Sequence, residues 1–402
     1  MAINYISKFF SNFGKNSSVT ENNIRFNKNF DPILMDEYFF KENSNITAQE
    51  YSDNVIVHRC VNIISQAASH VPWVIYKKSN NASLKRLASH PIYGLLQKPN
   101  NKQGGADFFS ELVATKLLYG DCFILGLGQN NIEKLNLLHP SNIQINSHNG
   151  AISDFEYCSQ GKTIKFPIDE KKRKCRVLHI KNYNPNSSSN RGVSSLKAAS
   201  KSIELHNQTT KWNNNLLKNG ARPTGALVMR DSGTQLSDEQ FERLKEELSV
   251  KYMGGNNSGR PLLLEGGLDW KDMSIHPKDM DYIDAKNSAA REIALAFGLP
   301  PQLLGITGDN TYSNMQEARL ALWEETIIPL LDKIADNLSN WLSIWYDQDI
   351  IIDFDRDGIS ALSEKRKNSL DKISHANFMT LNEKRALINL PPIEGGDKID
   401  NQ

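Results

Sequence analysis

From Asn54 onward apolar residues recur three and four apart at Val55, Cys60, Ile63, Ile64, Ala67, Ala68 and Val71, which predicts a helix stopped at Pro72. A strand at 73–76 follows, and then a short helix at 90–100 held between Pro91 and Pro99. Asp107 is expected to cap a helix running through Phe108, Leu112, Leu117 and Leu118 to Gly120, where glycine supplies the terminal turn. Short apolar runs at 122–125, 132–138, 143–145, 155–157 and 177–180 are separated by Gly, Asn and Ser. Strands of that length and spacing predict an α+β fold, with a mainly antiparallel sheet and the helices packed on it.

The second half reads differently. A helix at 194–219 would span about 39 Å, yet its apolar positions are only Leu196, Ala199, Ile203, Trp212 and Leu216. So thin a stripe cannot anchor it along its length. It is either a solvated surface helix or one that packs against copies of itself around water. An apolar strand at 225–229, an acidic helix at 236–252, two further short strands and a helix at 279–297 follow, and the last opens into the loop 298–305. After Tyr312, helical period holds through Met315, Leu322, Trp323, Ile327, Leu331, Leu338, Leu342 and Trp345 for about nine turns, with Pro329 expected to kink it. A strand at 350–352, a helix at 363–375 and a capping box of Thr380 and Glu383 opening a last helix complete the pattern.

Charge and cysteines narrow the function classes. The 402 residues are long enough for about two to three domains. Lys and Arg number 47 against 46 Asp and Glu, so the net charge is +1 and no grip on many phosphates is advertised. Cys60, Cys122, Cys158 and Cys175 lack metal-ligand spacing and read as free thiols of a reducing compartment, not as a zinc site. No apolar run approaches the ~18 residues of a membrane span, so a soluble chain is expected. Residues 1–13 lack the pattern of a signal peptide, and 14–50 are polar with scattered aromatics, the composition of an arm that docks on a neighbour or stays partly disordered.

Several motifs invite a chemical reading. Asp353, Asp355 and Asp357, with Glu364 six residues after Gly358, match the ligand spacing of a calcium-binding EF-hand loop. The segment entering that loop is strand-like, however, and no second loop pairs with it, so a strand-to-helix turn whose acids cap the next helix is the plainer reading. Ser194 and Lys197 form S-x-x-K without a following K-T-G, Gly126 and Gly128 lack the third glycine of a dinucleotide fingerprint, and no phosphate-binding loop exists. His90-Pro91 and His139-Pro140 read as turn-forming pairs with structural histidines. No nucleophile, base and acid can be grouped, so no enzyme is expected and no cofactor is implied.

Taken in series, Cys60 to Pro72, His90-Pro91 with Leu95-Leu96 and Pro99-Asn100, Leu117 to Asp121, His179-Ile180, Gly192 to Leu196, Asn219 to Pro223, Phe297 to Gly305 and Asn382 to Arg385 resemble the portal proteins of tailed bacteriophages, the short-chain siphophage kind also found in prophages and gene transfer agents. The resemblance runs from about Val55 to Asp397 in the family's order. It implies a homo-oligomeric ring, usually of about twelve subunits, at one capsid vertex of the virion, assembled in the cytoplasm of the bacterial host. Double-stranded DNA would pass through the ring.

The same resemblance divides the chain into an N-terminal arm (1–50), a wing (51–193 and 315–357), two stem helices (194–220 and 277–298), a β-α-β-β clip (221–276), a tunnel loop (299–314) and a small crown with tail (358–402). It implies that Thr307, Gly308, Asp309, Asn310, Thr311 and Tyr312 line the channel, in a loop that carries no lysine. Asp238, Glu239, Glu242, Arg243, Lys245 and Glu246 would form a clip surface for the terminase large subunit and head-tail adaptor, although they could equally be a solvated helix face. The major capsid protein or a scaffold is the further expected partner, and no membrane is. The reading from another class is a monomeric calcium-binding module built on 353–364.

Overall fold

Asn54 starts the first long helix: its Oδ1 accepts from the backbone N–H of Ile56 (3.0 Å) and Val57 (3.1 Å), a cap that contributes about 1 kcal/mol. The computed structural model describes residues 23–25, 46–78, 84–159, 161–186, 190–218, 225–229, 237–251, 268–272, 282–306, 312–376, 378–388, 390 and 392–398. In chain order these begin with β1 (Asn23–Arg25), α1 (Ile46–Asp53), α2 (Val55–Ser69), β2 (Trp73–Lys78), β3 (Leu84–Arg86), α3 (Pro91–Gln97) and α4 (Gly105–Tyr119). The strands β4 (Asp121–Leu127), β5 (Lys134–Leu138), β6 (Ile143–His148), β7 (Ala151–Ser159), β8 (Lys162–Pro167) and β9 (Val177–Lys181) follow. Then come α5 (Ser195–Ala198), α6 (Ser200–Lys218), β10 (Gly225–Met229), α7 (Asp238–Lys251), β11 (Leu268–Asp272) and α8 (Tyr282–Phe297). The chain closes with α9 (Tyr312–Ala321), α10 (Ile328–Tyr346), β12 (Ile350–Phe354), α11 (Ser363–Ser374) and α12 (Leu381–Leu387).

The expected antiparallel pairing holds, but the strands divide among separate small sheets, ordered β12-β2-β3, β5-β4-β9, β1-β8-β7-β6 and β10-β11. Only β1 runs parallel to its neighbour β8 among the described pairs. β8 is absent from the sequence expectation because just two apolar residues, Ile164 and Phe166, carry its inward face. All seven residues of β4 are buried, so this strand faces two cores at once. Cys122 and Ile124 belong to the main core with α2, α4, α8 and α10, whereas Phe123, Leu125 and Leu127 join Phe155, Tyr157, Ile164 and Phe166 in a second one. The two-residue side-chain period of a strand produces that division.

Two local expectations need correction. Gly104, not Asp107, is the N-cap of α4, and Asp107 lies in the first turn, where its charge complements the helix dipole. The long C-terminal helix is not one uninterrupted α-helix. A π-helical turn at Leu322–Ile327 separates α9 from α10. Pro329 therefore falls in the first turn of α10, directly after the π-helical turn. Among the described residues no helix is long and apolar enough to cross a membrane, and Cys60, Cys122, Cys158 and Cys175 are free thiols.

Candidate functional site

Three segments far apart in the chain meet where α4, β4 and β9 face the residues leading into α5. Gly120 ends α4 with φ 77°, and a Cβ there would lie 2.5 Å from the carbonyl carbon of Val193. A Cβ on Gly192 would lie 2.2 Å from the carbonyl oxygen of Gly120. The two backbones can touch only because both residues are glycine. Beside them Asp121, 2 % exposed, accepts from the backbone N–H of Gly192 (2.8 Å) and contacts Nε2 of His179 at 2.8 Å. Arg191 lies 3.8 Å from the same carboxylate, and its guanidinium also donates to the carbonyls of Pro140 and Ile143. Burial pulls the Arg191 pKa down while Asp121 opposes it. His179 stacks on Phe123 with ring centroids 4.3 Å apart. Asn182 accepts from buried Lys116 and donates to the carbonyl of Val193. Every part of this cluster fixes the direction in which the chain leaves β9 for α5 and α6.

The expected single helix at 194–219 is thus two, broken at Ala199, with Ser194 capping the first through Lys197. α6 pairs with α8, which presents Ala289, Ala290, Ile293, Ala294 and Phe297 to the core. Trp212 stacks on Tyr282 at 4.1 Å, and Ser202 donates to Glu292 at 2.6 Å. The sequence reading missed two buried positions on α6, His206 and Thr209. Nδ2 of Asn54 reaches His206 Nδ1 (3.3 Å) and donates to Asn207 (2.8 Å), while Thr209 bonds the carbonyl of Leu205 (2.8 Å). Burial, then Lys286, pushes the His206 pKa down, with Asn207 opposing. α6 is therefore anchored through polar groups at the N-terminus of α2. Leu205, Ile283 and Leu295 on the same pair stay exposed, at 45 %, 74 % and 65 %.

α8 runs into a tightly held turn. Gly298 has φ 73°, its carbonyl accepts from Thr326 Oγ1 at 2.5 Å, and Leu299 is buried. A 3-10 turn at Pro301–Leu304 ends on Gly305 at φ 76°. Thr307, Gly308, Asp309, Asn310 and Thr311 lie outside the described residues, and Tyr312 is the first residue of α9. In the segment between α6 and α8, β10 and β11 pair antiparallel with Leu227 opposite Trp270. Asp238, Glu239, Glu242, Arg243, Lys245 and Glu246 are all exposed on α7. Lys245 pairs with Glu242 at 3.2 Å, a contact of little energetic weight when exposed.

The loop at 353–364 does not assemble a cation site. β12 leads into it, Asp355 accepts from the backbone N–H of Asp357 (2.9 Å) to cap a short turn, and Asp357 pairs with Arg366 at 3.0 Å. These acids do not cap α11, whose N-cap Leu362 has no side-chain bond. Among the described residues no group of three His, Cys, Asp or Glu is placed to share a metal ion. His90 caps α3 through Ile92, and His139 meets Tyr119 at 3.2 Å. Burial lowers both histidine pKa values, in keeping with structural roles.

Comparison with known proteins bears on what this arrangement is for. A family model described as phage portal protein matches residues 55–389. The portal protein of Enterobacteria phage HK97 is 23 % identical over 85 % of this chain and 80 % of its own length. A protein of Rickettsia felis is 52 % identical over 98 % of this chain and all of its own. A chain in the neck of a native gene transfer agent particle, computed with C12 symmetry, is 33 % identical, with a TM-score of 0.66 over 87 % of this chain and 93 % of its own.

Proposed function

The chain belongs to the phage portal protein family, and on that premise we propose that about twelve copies of it close into a ring at one capsid vertex, the conduit for double-stranded DNA. The single observation that carries the reading is the family match across residues 55–389. The geometry supports it: α6 and α8 bury one face against α2 and leave Leu205, Ile283 and Leu295 exposed, apolar surface that a neighbouring subunit can cover. In such a ring the contact is head-to-tail and closes by rotation.

On this reading α6 and α8 are the stem, and the surrounding helices with the three larger sheets are the wing. The segment 221–276 is the clip, whose α7 meets the terminase large subunit during filling and a head-tail adaptor afterwards. The acids Asp238, Glu239, Glu242 and Glu246, with Arg243 and Lys245 between them, give that surface its charge. Residues 299–314 form the tunnel loop, with Thr307 to Tyr312 facing DNA, and α11 and α12 form a small crown. The wing rim meets the major capsid protein or a scaffold. A near-neutral chain suits a conduit, because a bore that neutralised many phosphates would hold the DNA it must pass.

Mass measurement on the purified chain, with end-on electron micrographs, tests the proposal. Closed rings of about twelve subunits are expected, and a monomer at every concentration would overturn it.

A further inference from the structure

The near-zero net charge conceals one concentrated patch. Between β8 and β9 the sequence Asp169-Glu170-Lys171-Lys172-Arg173-Lys174-Cys175-Arg176 carries five bases against two acids, a local charge of +3. Lys171, Lys172 and Arg173 are exposed, and among the described residues no carboxylate pairs with them. The turn that presents them is held by backbone hydrogen bonds. Asp169 and Lys174 bond each other's backbones in both directions (2.9 and 3.2 Å), Asp169 also accepts from the N–H of Lys172 (3.1 Å), and Arg173 sits at φ 51°. The carbonyl of Cys175 accepts from the indoles of both Trp341 (2.8 Å) and Trp345 (3.3 Å), fastening the hairpin to the C-terminal half of α10.

We propose that this hairpin docks the phosphate backbone of double-stranded DNA at a second place, apart from the tunnel loop. The location follows from α10. Trp345 lies 19 residues beyond Thr326, which holds Gly298 at the root of that loop, so the hairpin is roughly 28 Å away along the helix. The partner class follows from what the patch lacks. Protein partners are usually anchored on apolar or aromatic side chains, and Trp345 beside the hairpin is already covered: Arg176 lies over its ring at 4.2 Å and Lys174 at 5.1 Å. Charge without accessible apolar area fits a polyanion, whose binding is driven by counterion release. Contacts of this kind position a duplex without reading its sequence.

The inference rests on the portal reading for its biological setting, while the binding itself is measured on the purified full chain. Fluorescence anisotropy with a short labelled duplex is the assay. Four phosphate contacts give a log-log salt slope near −3.6, or about 150-fold weaker binding on raising salt from about 50 to 200 mM. A variant with Lys171→Glu, Lys172→Glu and Arg173→Glu should retain a slope near −1 at most, about 4-fold over the same range. A control with Lys85→Glu, Lys367→Glu and Lys398→Glu, all exposed, makes the same charge change elsewhere and should behave as the unaltered chain. The proposal is overturned if the hairpin variant keeps the full slope, if the control loses binding equally, or if a polyglutamate peptide binds the hairpin and the duplex does not. Rings that form normally while the hairpin ignores DNA would sink this inference alone. A monomer whose hairpin still binds DNA would sink only the portal reading.

Discussion

Replacing Lys116 by methionine should stabilise the chain at neutral pH and alter its alkaline behaviour. Lys116 lies on α4, 4 % exposed, with its Nζ donating to Asn182 and, among the described residues, no carboxylate paired to it. Burial, aided by Lys333, lowers its pKa from 10.5 to about 8, while Cys122 and Asp121 pull weakly the other way. The difference, 10.5 − 8 = 2.5 units, corresponds to a penalty of about 3 kcal/mol for keeping the buried ammonium charged. Because the folded-state pKa lies below the unfolded one, the unfolded chain binds more protons between about pH 8 and 10.5. Lys116 thus costs its full penalty below pH 8, and its influence makes stability rise with pH through that window. Methionine keeps the volume and drops the charge, but gives up a charged hydrogen bond of about 1.5–2 kcal/mol. The expected gain is therefore about 1–2 kcal/mol at pH 7, vanishing at about pH 9 and reversing towards pH 10.5, where only the lost hydrogen bond remains.

The buried thiols act with the opposite sign. Burial raises Cys60 to about 12 and Cys175 to about 11, from 9.0, so unfolded-state ionisation lowers stability above about pH 9. That effect is common to both proteins and cancels in their difference. Urea unfolding at fixed protein concentration, from about pH 7 to 10, measures it. A variant less stable than the parent at pH 7, or a difference that does not change with pH, would refute the reasoning.

Other outcomes follow from the same structure. Gly120→Ala must hold φ 77° and place a Cβ 2.5 Å from Val193, so a loss of more than about 2 kcal/mol is expected in the same urea assay, and a change under 0.5 kcal/mol would contradict the close approach. Replacing Asp309 and Asn310 by tryptophan should leave rings intact and impair DNA packaging or retention; normally filled particles would count against the channel assignment. If α7 is the proposed docking surface, reversing Glu239, Glu242 and Glu246 to lysine on this exposed helix should slow association with the terminase large subunit, the salt dependence of the on-rate changing sign as attraction becomes repulsion, with fold and ring number unchanged by circular dichroism and mass.

The legible parts of the fold were those whose cause is local. α2, α4 and α10 carry a helical period, which a capping Asn54 reinforces in α2 and a terminal Gly120 in α4, and their cores are close to the expected residues. α6 was only half legible, because the partner of buried His206 is Asn54, 152 residues earlier, and polar residues that satisfy one another at that separation leave no periodic signal. The acids at 353–364 were legible in part. Their spacing matches a calcium loop, and the strand-like residues before it marked a strand-to-helix turn, but spacing does not reveal that Asp355 caps a 3-10 turn in place of α11 or that Arg366 takes Asp357. Of the candidate site residues, the charged set on α7 is exposed, which a docking surface and a solvated helix face require equally. What it docks is a matter of partners, which no single chain encodes in its own contacts.

The segments that carried the resemblance turn out to be joints. Asn100 accepts from the N–H of Lys102 and Gln103 and donates to the carbonyl of Leu135, tying the α3–α4 turn to β5. Asn382 exchanges hydrogen bonds with Ile393 and donates to Asp397, folding the tail onto α12. Gly120, Asp121 and Gly192 set the root of α5 and α6. Each of these residues fixes a direction. The requirement follows from leverage. α6 has 19 residues, so it extends about 28 Å from its root, and a tilt of roughly 5° there displaces its far end by about 2.5 Å, half the spacing between helix turns. Packed interfaces register shifts of that size as lost contacts. In a ring the same error recurs at every subunit, so closure depends on the stiffness of the joint more than on the stability of the helix it aims.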